Sequence, residues 1–211
     1  MNENIFTNYR TWLTEQKIPN GKKAVLLSGL NLFAQQGYDG TSTAQIADNA
    51  GVSQATIFKY FKTKQALLLA ILQPIIENFF PLYRDDFLDQ LNKFNSLPQV
   101  IQFMVTNRYH FLQENSDAFT ILLSQFLTSE AIRTLLFKII GESMPMISKE
   151  LLAKLKENGA RPELDLITLF RALFGQIVIY FLQNRFIPKI QADEDKDLKL
   201  IADQVIRAIS A

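Results

Sequence analysis

Residues 41–64 read TSTAQIADNAGVSQATIFKYFKTK, and two short apolar-periodic runs meet there at one glycine, Gly51. Ser42, followed three residues later by Gln45, has the spacing of a capping box, in which each residue satisfies an amide of the other. Ile46, Ala47 and Ala50 then form one apolar stripe. Ser53 caps a second helix, whose Ile57 and Phe61 share a face at i and i+4. Two short helices joined by a glycine-containing turn make a helix-turn-helix.

At about 100° per residue, Ile57 and Phe61 point into the domain while Ala55, Thr56 and Lys59 lie roughly opposite. Phe58 and Tyr60 flank them, and Lys62 and Lys64 follow. A helix of this kind fits the major groove of B-DNA, with its early residues nearest the base edges. Small Ala55 lets the backbone approach, Thr56 offers a methyl or a hydroxyl, and Lys59 donates to guanine or phosphate. Lysines at the helix end suit the rising DNA backbone and fix orientation. The plain alternative is a surface helix with solvated lysines.

Outward from this stretch, helical spacing dominates and no segment alternates in polarity as a strand would. Residues 3–16 place Ile5, Phe6, Tyr9, Trp12 and Leu13 on one face, and Pro19-Asn20-Gly21 breaks the chain. A helix over 22–36 turns Leu26, Leu27, Leu30, Phe33 and Ala34 inward and stops at Gly37. After Thr63 a long apolar helix runs to Pro74, where proline is expected to kink or end it. Further helices are expected at roughly 82–94, 98–114, 117–127, 129–157, 162–185 and 195–210. Breaks fall near Pro98, Asn115-Ser116, Asn158-Gly159 and Pro188, with an interruption of 129–157 near Pro145.

The chain has 211 residues, 48% of them hydrophobic, with eight glycines and seven prolines, ample for a buried core. The formal charge is only +1, but it is unevenly spread. Residues 1–64 hold seven basic and four acidic side chains, against fifteen and seventeen in 65–211. The basic end is the one with the helix-turn-helix, as a nucleic-acid footprint requires. There is no cysteine, so thiolate metal sites and disulfides are excluded. One histidine, no phosphate loop and no metal-spaced cluster argue against an enzyme, and no cofactor or metal is expected. The N-terminal residues lack the basic start and apolar run of a secretory signal. LITLFRALFGQIVIYFLQ (166–183) is interrupted by Arg171 and Gln176 and reads as an interface helix in preference to a membrane span. A cytoplasmic location with no membrane partner is expected.

The stretch LNLFAQQGYDGTSTAQIADNAGVSQATIFKYFKTKQALLLAIL resembles the N-terminal domain of TetR-family transcriptional repressors across roughly residues 22–72. The likeness rests on the LF…G end of the first helix, the T-S-x-x-x-I-A entry, AGVS and YFKTKQAL. It implies an all-α fold, with an N-terminal three-helix helix-turn-helix domain and a larger helical ligand-binding and dimerisation domain. The domains are then 1–66, with 1–18 as an extra N-terminal helix, and 67–211. Position by position, the resemblance implies that Ser42 and Thr43 touch phosphate. Gln54, Ala55, Thr56, Phe58, Lys59 and Tyr60 form the recognition surface, and Lys64 holds phosphate. Lys22 and Lys23 lie near a frequently basic helix start. Ala55 stands where glycine or proline is frequent, and Phe58 where tyrosine is usual. Phe58 has no hydroxyl for phosphate and packs on sugar or a thymine methyl instead. The extra helix either docks on the domain or serves as a DNA-contacting arm, against which Glu3 and Glu15 argue.

The resemblance also implies a homodimer on a pseudo-palindromic double-stranded operator, and a small-molecule effector. Thirteen of the seventeen phenylalanines follow residue 64, and most of them are core. Phe103, Asn107, His110, Phe126, Phe174 and Tyr180 are the candidates for lining an apolar cavity. They suit a fatty acyl, aromatic or cationic-amphipathic compound. Leu166–Leu182 is apolar almost all round, and Leu198, Ile201, Val205, Ile206 and Ile209 form one stripe. Paired across two subunits they would make a four-helix interface. The expected function is a repressor released by its ligand. The alternatives are a ligand-free regulator acting through protein partners and a transcriptional activator.

Overall fold

The computed structural model describes residues 4–187 and 193–211, and the expected break at Pro188 lies outside them. The described residues are helical, with no strand and one isolated bridge between Ala160 and Ser210. They divide into two compact units, one of residues up to 82 with 115–140, the other of 83–114 with 141–211. The expected boundary at 66/67 falls inside the helix Lys64–Pro74 and inside the first unit, where that helix packs on the helix preceding the helix-turn-helix.

The first unit begins with α1 (Ile5–Glu15), α2 (Asn20–Gln36), α3 (Thr43–Ala50), α4 (Gln54–Tyr60) and α5 (Lys64–Pro74). Asn4 caps α1 by accepting from the Thr7 amide at 2.9 Å. α1 docks, as its apolar face predicts: Ile5, Phe6, Tyr9 and Leu13 are buried, and Arg10 Nη2 donates to Asn31 Oδ1 at 2.7 Å. The Ile5 amide donates to Asn115 Oδ1 at 2.6 Å. Val25, Leu26, Leu30 and Phe33 of α2 and Leu67, Leu68, Ile71 and Leu72 of α5 are buried, and the two helices pack on each other. Gly29 makes that crossing close. A Cβ there would stand 3.1 Å from Ile71 Cδ1 and 3.2 Å from Leu67 Cδ2.

Pro74 ends α5, and a π-helical turn, Ile75–Phe79, follows before α6 (Phe80–Leu91). Proline has no amide to donate, and the widened turn accommodates the missing bond. α8 (Ser116–Thr128) and the first turns of α9 (Glu130–Glu157) complete this unit. α9 runs through Pro145, where an interruption was expected. Long helix on both sides of the proline keeps its bonds, so losing one bond does not end it.

In the second unit, α10 (Leu166–Phe186) and α11 (Glu194–Ile209) pack on α7 (Leu97–Glu114). Val100, Ile101, Met104 and Val105 of α7 are buried with Leu169, Leu173 and Ile177 of α10. The stripe on α11 is consumed inside the unit: Leu198, Val205 and Ile209 are buried, and Ile201 and Ile206 half-buried. It is therefore not the free interface face its sequence suggested. α10 differs, since Ile167, Phe170, Ile179 and Phe186 are exposed. By length and composition α10 could cross a membrane, as could the stretch Lys64–Leu91, half of whose most apolar window is buried.

Gly51 sits in the left-handed region at φ 65°, ψ 33°, where a Cβ is penalised. Gly51→Ala should lower the unfolding free energy by about 1 kcal/mol, measured by urea denaturation. No loss of stability would show that the α3–α4 turn does not depend on this conformation.

Candidate nucleic-acid interface and effector site

The helix-turn-helix is built by three caps. Ser42 Oγ accepts from the Gln45 amide at 3.2 Å, and Gln45 Oε1 accepts from the Ser42 amide at 2.8 Å. The capping box forms as its spacing predicts. It occupies Ser42's own amide and hydroxyl, while the first-turn amides of Thr43 and Ala44 have no i−4 partner within the helix. Those amides and the positive helix end are suited to phosphate. Ser53 Oγ accepts from the Thr56 amide at 3.2 Å, and Thr63 Oγ1 from the Ala66 amide at 3.0 Å.

α4 is only seven residues long, and its orientation comes from two buried anchors, Ile57 at 1% exposure and Phe61 at 5%. Gln54, Ala55, Phe58 and Lys59 therefore face outward, with Phe58 45% exposed. Thr56 and Tyr60 are half-buried. The N-terminus of α2 covers their flank: a Cβ at Gly21 would stand 3.7 Å from the Tyr60 hydroxyl and 3.9 Å from Thr56 Cγ2. The Thr56 hydroxyl lies 3.0 Å from Ser53 Oγ. Sequence periodicity gave no sign of this flanking contact, which comes from another helix.

Lys64 is half-buried, and its ammonium donates to the carbonyls of Tyr38 and Thr41, each at 2.8 Å. It also lies 4.2 Å from the Tyr38 ring centroid. Two of its three N–H donors thus hold the α2–α3 loop, and one is left for a phosphate. Tyr38 is the functional neighbour that sequence reading missed, although Gly37 and Gly40 beside it mark the loop. Lys23 Nζ donates to Thr14 O at 2.7 Å, which ties it to α1. Lys62 is exposed.

The six effector candidates do not form one cluster. Phe103, Asn107 and His110 lie on α7 and Phe174 and Tyr180 on α10, but Phe126 belongs to the other unit. Phe103 stacks on Phe87 at 5.6 Å and meets Phe94 at 5.0 Å, while Phe174 stacks on Phe170 at 4.7 Å. Phe126 meets Phe137 edge-on. Asn107 Oδ1 accepts from Arg108 Nε at 3.0 Å. His110 Nε2 lies 2.8 Å from Glu194 Oε1, so it serves as a link from α7 to α11. Tyr180 donates to Asp197 Oδ2 at 3.1 Å and its ring lies 5.0 Å from that of Tyr109. Tyr109's hydroxyl accepts from Gln113 and Asn184 at 3.0 and 2.9 Å. Of two cavities in the first unit, an open groove of about 840 Å³ is lined by Tyr38, Gln65 and Ser129 among others, and a smaller one of about 170 Å³ by α1, α2 and α5. None of the six residues lines either.

Residues 25–71 match the sequence model described as bacterial regulatory proteins, tetR family. The HTH-type transcriptional regulator RutR of Escherichia coli (strain K12) is 44% identical over 69 residues, 31% of this chain and 32% of RutR. The matched segment thus spans about a third of that relative's length. The HTH-type transcriptional repressor KstR2 of Rhodococcus jostii (strain RHA1) is 25% identical over 157 residues, 73% of this chain and 75% of KstR2. Among solved structures, the transcriptional regulator FadR from Bacillus subtilis in complex with stearoyl-CoA superposes with a TM-score of 0.60. That likeness covers 89% of this chain and 97% of the other at 17% identity, and it establishes the fold.

Burial, the largest cause, pushes the Tyr180 phenol from the ordinary 10.0 up to about 12, and pushes Tyr109 up as well. A pKa raised in the folded state contributes stability that is complete below the unfolded pKa and lost as pH rises through the folded one. Stability should therefore fall between pH 10 and pH 12, and Tyr180→Phe should flatten that decline in urea melts. An unaltered decline in the variant would remove Tyr180 as its source.

Proposed function

We propose that this chain, whose residues 25–71 match the tetR-family sequence model, is a TetR-family, sequence-specific DNA-binding transcriptional regulator, a repressor released by a small, mostly apolar ligand. The reading is carried by α4, where Ile57 and Phe61 anchor the helix and Gln54, Ala55, Phe58 and Lys59 are left facing out. An amide-bearing side chain, a small residue, an aromatic and an amine on one ridge suit a major groove. Thr43 and the amides at the start of α3, with Lys64 and Lys62, grip phosphate on either side. Phe58 makes apolar contact with sugar or a thymine methyl. Ser42, Thr56 and Tyr60 act by holding this ridge in place more than by direct reach, since their hydroxyls or rings pack on protein.

Two reading heads are required for a pseudo-palindrome, with half-sites about 34 Å apart along the duplex. A twofold dimer supplies them, and α10, with Ile167, Phe170, Ile179 and Phe186 exposed, is the face that pairs. The repressor role is supported by the similarity to the repressor KstR2, and an apolar effector by the stearoyl-CoA bound to the Bacillus regulator of the same fold. In this reading the effector site belongs to the 67–211 region and the protein works in the cytoplasm. Release requires that the effector bind the DNA-incompetent state more tightly. The segment leaving the DNA-reading domain contains Pro74 and the π turn, a natural point for α5 to shift.

Selection of bound duplexes from a random pool should return a palindromic site with a steep salt dependence. Lys59→Ala should weaken binding to that site about tenfold and reduce the salt slope by about one. Failure to retard any duplex at low ionic strength overturns the reading. Ile179→Glu should convert the dimer to a monomer in analytical ultracentrifugation. A variant still dimeric at the same concentration would move the interface away from α10.

A further inference from the structure

We propose that the cavity of about 170 Å³ beneath α1 is a binding site for a single-ring aromatic carboxylate. The proposal stands apart from the function given above and concerns a different part of the chain from the expected effector site. The cavity lies wholly within the first unit, where Tyr9, Trp12 and Leu13 of α1 face Leu26 of α2 and Pro74 of α5. An apolar cavity of roughly 150 Å³ is large enough to hold benzene, so this one suits one ring and excludes a long acyl chain.

Two residues of the lining carry the polar groups that set its chemistry, Tyr9 and Lys22. Tyr9 is fully buried, and its hydroxyl has no hydrogen-bond partner in the protein. A buried hydroxyl without a partner is a cost that native structures seldom leave unmet. Burial raises the Tyr9 pKa, so the group remains a neutral donor at ordinary pH and calls for an acceptor. The second group is Lys22, which also lines the cavity and is half-buried. Its ammonium makes no hydrogen bond to protein among the described residues and lies 5.6 Å from the Phe61 ring centroid. A carboxylate meets both groups, accepting from the phenol and pairing with the amine. A neutral ring would satisfy at most the first, and a cation would be repelled by the second. Because Lys22 also stands over Phe61, the residue that ends α4, an occupied site touches the mount of the reading helix.

Trp12 is the only tryptophan and lines the cavity, so its fluorescence is a probe of occupancy. The full chain, titrated with benzoate, should give a saturable change in Trp12 emission. Benzyl alcohol, its uncharged analogue, should bind about tenfold more weakly, and Lys22→Met and Tyr9→Phe should each weaken benzoate about tenfold. Ala70→Leu, which places bulk in the lining, should abolish the change, with circular dichroism checking that it folds. Lys22 is half-buried and its replacement does not threaten the core, so it remains decisive if Ala70→Leu fails to fold. Emission that only declines linearly with benzoate overturns the proposal, as does binding untouched by Lys22→Met. Equal affinity for benzyl alcohol overturns the carboxylate assignment.

Discussion

The outward face of α4 depends on burying Ile57 and Phe61. A seven-residue helix is too short to be stable in water by itself, since nucleation costs more than so few backbone bonds return. It forms because Ser53 satisfies an orphan amide at one end and the two apolar side chains lock the rotation against the neighbouring helices. Once that rotation is set, the outward residues follow from the 100° step. Thr56 and Tyr60 are then held at the flank by Gly21, where a larger residue would crowd them. The reading surface is thus a consequence of what lies behind it.

Lys64 illustrates how one charge can serve structure and, in the proposed function, recognition as well. Its ammonium lies over the Tyr38 ring and closes the α2–α3 loop by bonding two carbonyls. Carbonyls at a loop have few other partners, and a half-buried amine with its positive charge satisfies them strongly. The same amine ties the loop before α3 to the start of α5. In the second unit, aromatic residues are mostly spent on one another, as in Phe87 with Phe103 and Tyr109 with Tyr180. Polar links such as His110 with Glu194 join α7 to α11.

α1 adds to this arrangement. Its apolar face packs against α2 and the π turn, with Trp12 left half-exposed, and it is tied at its start by Asn115 and near its end by Lys23. The helix therefore covers one side of the helix-turn-helix region and lines the smaller cavity.

The amino-acid sequence by itself determined the helix-turn-helix, because its signals are local. Ser42 with Gln45, Gly51 and Ser53 act within one or two turns, and Ile57 with Phe61 depends on period alone. Local signals likewise placed the ends of α2 at Gly37 and α5 at Pro74. What only tertiary structure decided was how side chains from distant segments share space. Tyr38 meeting Lys64, Gly21 covering Tyr60, the stripe of α11 being consumed by α7 and the pairing of Phe103 with Phe87 all join residues on different helices. Periodicity says which face of a helix is apolar, but not which neighbour will cover it. Hence the reading helix was legible along the chain, while the candidate ligand residues, chosen for face and type, each pack on neighbours that the sequence did not point to, such as Phe87 for Phe103 and Glu194 for His110.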